Sequence, residues 1–243
     1  MKKDKHIDPY KHVAFIYPDI MDFVDYKWWA KYIYSITVNH LKKSPSVLEL
    51  GAGNCKMAAY LSEDYKDYIA SDISLSMLSG SVCKINKVCC DMTALPFNKK
   101  FDLIFSAFDS INYLTSKAKL QTLFQQVYSN LTDEGIFAFD AALINNSYKL
   151  QKVAETSGNF NGIKYYRKSK FYPVSRIHKN IFRIYFSDKV ITEIHTQKIF
   201  EFETYFEVAE KCNLYVADCL KAFTYRKAKA TSDRVQFIMK RKT

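Results

Sequence analysis

Between residues 46 and 140, short apolar runs alternate with stretches of helical periodicity, and no other feature of the chain restricts its fold as much. Ser46-Val47-Leu48-Glu49-Leu50 runs into the turn Gly51-Ala52-Gly53. Tyr68-Ile69-Ala70-Ser71 stops at Asp72, and Val88-Cys89-Cys90 stops at Asp91. Phe101-Asp102-Leu103-Ile104-Phe105 ends shortly before Asp109, and Ile136-Phe137-Ala138-Phe139 follows Gly135. Runs this short and this continuously apolar read as strands buried on both faces. Between them, Lys56 to Leu61 reads as a helix, and Ser74 caps a second through Leu75, Met77 and Leu78. Leu120, Leu123, Phe124, Val127 and Leu131 form an amphipathic helical stripe. Strands alternating with helices imply βαβ units and a parallel sheet.

The flanks break this pattern. The first forty residues are rich in aromatics, and Asp25 to Leu41 places Trp29, Ile33 and Ile36 at helical spacing. Residues 163–200 interleave polar and apolar side chains, as in Ile181-Phe182-Arg183-Ile184-Tyr185-Phe186, with a turn at Ser187-Asp188. That predicts two or three antiparallel strands. A helix follows over Glu203 to Cys212. Leu214 to Thr224 and Arg234 to Lys240 then read as a hairpin around a basic 226–233 loop.

Charge is localised. The chain of 243 residues carries a net +11, yet residues 148–198 hold 11 Lys and Arg against 3 Asp and Glu. Residues 221–242 hold 8 against 1, so the rest is mildly acidic. Basic segments on an acidic body steer anionic partners, or simply solvate the surface. No uncharged apolar stretch is long enough to span a membrane, and the charged Met1 to His6 leads into no apolar run. The six cysteines form no C-x-x-C pair and read as reduced, mostly buried thiols. The expectation is a cytoplasmic protein with no membrane span and no metal site.

In an open parallel sheet, ligands bind beyond the carboxyl ends of the strands. Those ends carry Glu49, Gly51 and Gly53, then Asp72, then Asp91, then Ser106 and Asp109. Acidic residues at successive strand ends suit a ligand with hydroxyls and a positive charge, and the glycine turn admits it close to the backbone. A dinucleotide fingerprint would require a third glycine where Lys56 stands.

Taken together, these residues resemble the class I S-adenosylmethionine-dependent methyltransferases. Val47 to Asn54 is similar to that family's E/D-x-G-x-G motif, and Ser71 to Leu78 to its acidic end of strand two. Cys90-Asp91-Met92, Phe101-Asp102-Leu103-Ile104 and Asp109 to Leu114 follow in the same order and spacing over about residues 46–140. Tyr17 to Trp29 and His195 to Phe200 resemble segments of its small-molecule subgroup. Cys55 stands where the family usually has its third glycine, a departure a small side chain tolerates.

The resemblance implies a Rossmann-like, mostly parallel seven-stranded sheet with helices on both faces and a small antiparallel β insertion acting as lid. It implies one domain over 1–243: a helical cap at 1–45, a cofactor-binding core at 46–147, the insertion at 148–200, and a helix and β-hairpin at 201–243 that complete the sheet. The implied cofactor is S-adenosylmethionine, with S-adenosylhomocysteine as product and no metal. Asp72 would accept from the ribose hydroxyls and Asp91 from the adenine amino group, with Met92 beside the ring. Gly51, Ala52 and Gly53 would carry the methionine part, and Glu49 its ammonium. Backbone carbonyls near Ser106, with Phe108, would line the sulfonium side, Ile73 and Met77 complete the cofactor set, and Tyr17 and Trp29 close the pocket.

A catalytic base is needed only if the nucleophile must lose a proton. Candidates are Asp109, Asn112 and Tyr113 after the fourth strand, and His178 and His195 in the insertion, histidine being the natural base near neutral pH. His195 ranks first because it resembles a family position. The acceptor expected is a small molecule, with an anionic one suggested by the basic insertion. The alternatives are a nucleic-acid methyltransferase and a non-catalytic module with the same fold. Against nucleic acid, an N-P-P-Y tetrapeptide is absent and no RNA-binding appendage is recognisable.

Overall fold

Leu48 and Leu50 face one side of the sheet and Val47 the other, and all three are fully buried. That two-sided burial makes β1 (Ser46–Leu50) a central strand. The computed structural model describes residues 8–81 and 83–242, so the charged Met1 to His6 lies outside the described residues. After α1 (Tyr17–Ile20) and α2 (Tyr26–Thr37), the chain runs β1, α3 (Lys56–Asp64), β2 (Asp67–Asp72), α4 (Leu75–Ser79), β3 (Asn86–Cys89), β4 (Phe101–Ser106), α5 (Lys117–Asn130) and β5 (Leu131–Ala142). Then come α6 (Ile144–Lys152), β6 (Glu155–Phe160), β7 (Ile163–Tyr172), β8 (Ile177–Tyr185), β9 (Val190–Lys198), α7 (Phe202–Lys211), β10 (Leu214–Lys221) and β11 (Arg234–Arg241).

The large sheet has seven strands in the order β10-β11-β5-β4-β1-β2-β3. β1 to β5 are parallel, and β11 runs antiparallel to both β5 and β10. The order reverses beside β1, which opens the crevice where ligands bind in such sheets. Helices cover both faces. Leu120, Leu123, Phe124 and Val127 of α5 pack with Tyr205 and Val208 of α7 on Phe137, Phe139 and Phe237. On the other face, Ala30, Ile33 and Ile36 of α2 join Met57, Ala58 and Leu61 of α3 against Val47, Phe105 and Ile136. Each fully buried Leu, Ile, Val, Met or Phe side chain among them contributes about 1.5–3 kcal/mol of burial free energy. The helix starts are capped as sequence requires: Asp25 accepts from the Trp28 N–H, Ser74 from Met77 and Ser116 from Lys119.

The segment after β5 departs from expectation. It opens with helix α6, whose only buried residue is Ser147, and residue 148 falls inside that helix. Four strands follow as an antiparallel sheet β6-β7-β8-β9: three of them, β7 to β9, fill the 163–200 range where two or three were expected, and β6 precedes it. β10 stops at Lys221 rather than Thr224, because the chain turns there with a bridge between Leu220 and Lys227. Among the cysteines, Cys55 and Cys212 are buried and Cys89 is exposed, so they are less uniformly buried than expected. Among the described residues no helix is long and apolar enough to cross a membrane. Asn112, fully buried, ties the two sheets together. Its amide donates to the carbonyls of Ala142 and Lys198, and its oxygen accepts from the Ala142 N–H.

Candidate active site

The β1–α3 turn forms one wall of a cavity of about 760 Å3 that lies at the strand ends, between the two sheets. Gly51 and Gly53 have φ of +70° and +55°, and a Cβ on Gly51 would sit 2.8 Å from Ser110 Cβ. Cys55 is also left-handed, at φ 59°, which explains a glycine preference at that position. For a residue with a Cβ that conformation costs roughly 1–2 kcal/mol.

Asp72, the last residue of β2, is tied to the same turn. Its Oδ2 accepts from the Gly53 N–H at 2.7 Å and its Oδ1 from the Ser74 N–H at 2.8 Å. Burial pushes its carboxyl above the usual range, and those backbone donors oppose the shift. Glu49 is more deeply placed. Burial pushes it up to about 8, although the Tyr68 hydroxyl donates to its Oε2 at 2.6 Å. Neither carboxylate has a cationic partner among the described residues. Asp91 is exposed, and its Oδ1 accepts from the N–H and hydroxyl of Thr93 at 2.8 and 2.7 Å.

An aromatic wall stands opposite. Trp29 stacks on Phe108 with centroids 4.1 Å apart, and Phe223 meets Trp29 edge-on at 4.5 Å. Phe108 and Asp109 adopt φ of 58° and 49° in succession, strained for residues with a Cβ. Asp140 holds that corner by accepting from the Asp109 N–H at 2.9 Å. Arg234 completes it, reaching Asp109 Oδ1 at 2.6 Å and pairing with Asp140 as well.

The N-terminal segment forms a strap over the cavity. Asp8 accepts from the Ser74 hydroxyl and the Ser76 N–H, and Val13 and Ile16 pack on Tyr165, Phe182 and Ile184 of the small sheet. The Tyr10 hydroxyl donates to that of Tyr113 at 2.5 Å, and the Tyr10 ring lies 4.1 Å from the ring of His195. His195 Nε2 lies 2.9 Å from Glu193 Oε1. Gln197 donates to Asp109 Oδ2 at 2.7 Å.

Tyr17, Trp29, Glu49, Gly51, Ala52 and Gly53 all line this cavity. So do Asp72, Ile73, Met77, Asp91, Met92 and Phe108, together with Asp109, Tyr113 and His195. Ser106 does not. It is the last residue of β4, inside the sheet, with its Oγ buried and without a partner among the described residues. Two candidate bases are also displaced. Asn112 is the clamp described above, and His178 is buried behind the cavity between Ser169 and Ser147. Asp109 is engaged by Arg234 and Gln197, and burial pushes Tyr113 above the ordinary phenol range, so neither is a free base. Sequence reading missed Tyr10, Arg167, Gln197, Phe223 and Arg234, all of which line the cavity. Of these, Gln197 lay within the His195 to Phe200 segment already singled out, and Arg234 carried a signal as a charged residue opening an apolar strand.

The donor set suits a ligand with hydroxyls, a positive charge and a flat ring: two buried carboxylates, a glycine turn without Cβ atoms, and an aromatic wall. The methyltransferase domain family matches residues 47–135. Over 242 residues the chain is 27% identical to YqeM of Bacillus subtilis (strain 168), a protein that carries a methyltransferase name, covering 94% of this chain and 95% of that one. It is similar to the crystal structure of an S-adenosylmethionine-dependent methyltransferase from Clostridium acetobutylicum ATCC 824, with TM-score 0.79, 25% identity, and 96% and 99% of the two chains covered. It shares its fold with SAM-bound CalS10, an amino pentose methyltransferase from Micromonospora echinaspora. There the TM-score is 0.70 at 11% identity, with 93% and 96% covered.

Proposed function

We propose that the chain is a class I S-adenosylmethionine-dependent methyltransferase, the family its relatives and structural neighbour resemble, and that its cavity serves methyl transfer to a small-molecule acceptor. The observation that carries this reading is the pair Glu49 and Asp72: buried carboxyl groups with no cation beside them among the described residues. Such groups are costly to ionise unless a ligand brings charge and donors. A cofactor with an ammonium, a sulfonium and a ribose diol brings both.

In this reading Asp72 accepts from the ribose hydroxyls, and its bonds to Gly53 and Ser74 fix its orientation beforehand. Glu49 takes the ammonium. Asp91 keeps one oxygen for the adenine amino group because Thr93 uses only Oδ1. Ile73, Met77 and Met92 pack beside the rings, and Gly51, Ala52 and Gly53 leave room for the methionine part. Tyr17, Trp29 and Phe108 exclude water. When bound, S-adenosylmethionine supplies a sulfonium methyl for in-line displacement, which in this proposal uses no metal. Glu193 accepts from the Nε2–H of His195 and so leaves the lone pair on Nδ1, where His195 takes the acceptor's proton. Asp109, held by Arg234 and Gln197, and Tyr113, held by Tyr10, orient rather than act as bases. The cap, core, insertion and closing hairpin work as one unit, with the small sheet as lid, in the cytoplasm, where the six cysteines stay reduced. The strap over the cavity favours a small acceptor over a nucleic-acid strand.

Calorimetric titration with S-adenosylhomocysteine tests this. The wild type should bind one equivalent with micromolar affinity, and Asp72→Ala should bind at least ten-fold more weakly. A folded wild type that takes up none overturns the reading. Salt-dependent retention of RNA would move the acceptor to nucleic acid.

A further inference from the structure

The inward face of the small sheet sets polar side chains among the buried Tyr165, Phe171, Phe182 and Ile184. Strand register places Arg167 opposite Phe182, and Phe182 opposite Glu193. Ser169 faces Asn180, which faces His195. Arg167 is the notable member. Its Nε–H and one Nη2–H both donate to Asn180 Oδ1, at 3.2 and 3.0 Å. The same oxygen accepts from the Ser169 hydroxyl at 3.1 Å. That hydroxyl lies 2.6 Å from His178 Nε2, and His178 Nδ1 lies 3.0 Å from the Ser147 hydroxyl. Burial holds His178 below the usual imidazole range, so the chain behind Arg167 is uncharged. This relay locks the side edge of the guanidinium.

A guanidinium has five N–H donors. Three of those on Arg167, two on Nη1 and one on Nη2, have no acceptor among the described residues. Its outer edge is therefore a free two-pronged fork lining the cavity. No carboxylate pairs with it among the described residues. Asp109 is held by Arg234 and Gln197, and Glu193 by His12 and His195. Arg234, the other arginine in the cavity wall, is neutralised twice over. A half-buried, oriented and uncompensated arginine matches the two oxygens of a carboxylate or phosphate.

We propose that Arg167, fixed by Asn180, is the binding site for an oxyanion carried by the methyl acceptor. This rests on the methyl-transfer reading of the cavity and narrows its acceptors to small molecules bearing a carboxylate or a phosphate. The test uses the full chain in two titrations. S-adenosylhomocysteine is titrated first. Acetate and inorganic phosphate are then titrated separately into the protein saturated with it, against chloride at matched ionic strength, and followed by thermal shift and calorimetry. The expected result is saturable stabilisation by one of the two oxyanions with a Kd on the order of millimolar, and the stronger arm identifies the group. Arg167→Met should weaken that binding at least ten-fold and leave the affinity for S-adenosylhomocysteine within about two-fold. Arg167→Lys, which keeps the charge without the fork, should fall between. Arg183→Met, on the exposed opposite face of β8, should behave as wild type.

Three results would overturn the proposal. One is that neither oxyanion exceeds chloride on the wild type. Another is that Arg167→Met binds both unchanged. The third is that Arg167→Met loses S-adenosylhomocysteine itself, which would assign the arginine to the cofactor. Failure of S-adenosylhomocysteine to bind the wild type is a separate result, and it removes the methyl-transfer reading.

Discussion

Glu49 should release a proton when the cofactor binds. Burial, with Asp72 adding to it, pushes this carboxyl up to about 8. At pH 7 about nine in ten copies of the ligand-free protein therefore carry the proton. A cofactor ammonium brought within about 4–6 Å lowers a carboxyl by 1–3 units. The bound group would then titrate between about 5 and 7, and binding at pH 7 should release about 0.4 to 0.9 of a proton. S-adenosylhomocysteine is the ligand to use. The slope of apparent binding enthalpy against buffer ionisation enthalpy, across phosphate, imidazole and Tris, gives the number directly. Glu49→Gln should flatten that slope to near zero, which separates Glu49 from Asp72. The free protein offers a second readout. An acid raised on folding keeps its full stability below its unfolded value of 4.5 and loses it as pH rises through about 8. Stability should fall over that window by an amount on the order of a few kcal/mol, and less in Glu49→Gln. A wild-type slope of zero would refute the assignment of Glu49 to the ammonium.

Gly51→Ala should abolish cofactor binding, because its Cβ would lie 2.8 Å from Ser110 Cβ at a left-handed φ; titration with S-adenosylhomocysteine checks it, with circular dichroism as the fold control. Arg234→Met leaves Asp109 and the fully buried Asp140 unpaired, which should cost about 3–5 kcal/mol in chemical denaturation at neutral pH. That loss should shrink as pH falls, because burial already raises Asp140 and protonation relieves the unpaired charge. Phe139→Ala removes a fully buried ring stacked 5.0 Å from Phe237 and should cost about 3–5 kcal/mol, read as a drop in Tm without a change in cavity residues.

The parallel core was legible because its strands are buried on both faces, so Val47-Leu48-Glu49-Leu50 and Phe137-Ala138-Phe139 declare themselves without reference to partners. Their carboxyl ends are fixed by topology, which placed Glu49, Asp72 and Asp91 together before any coordinates. The small sheet was harder. Its inward face mixes the cavity-lining Arg167, Asn180, His195 and Gln197 with buried Tyr165, Phe171 and Ile184, so an alternation rule that sends polar residues outward misreads it. β6 (Glu155–Phe160) carries a single apolar side chain, Phe160 at its end, too little for a strand signal. α6 buries only Ser147, so it lacks an apolar stripe. Contacts such as Tyr10 with Tyr113, Arg234 with Asp109 and Asn112 with Lys198 join residues far apart in the chain. Local pattern carries no record of them. Ser106 illustrates the reverse error: its position beside Phe108 suggested the cavity, yet it ends a strand whose every residue is buried.

A crystal structure of the complex with S-adenosylhomocysteine bears on all of these assignments at once. Expected is one ligand in the cavity between the sheets, its ribose hydroxyls on Asp72, its adenine beside Asp91 and Met92, its ammonium on Glu49, and its sulfur facing His195 and Arg167 across the remaining space. A ligand bound elsewhere, or one whose ribose lies away from Asp72, would contradict the site as it is built here.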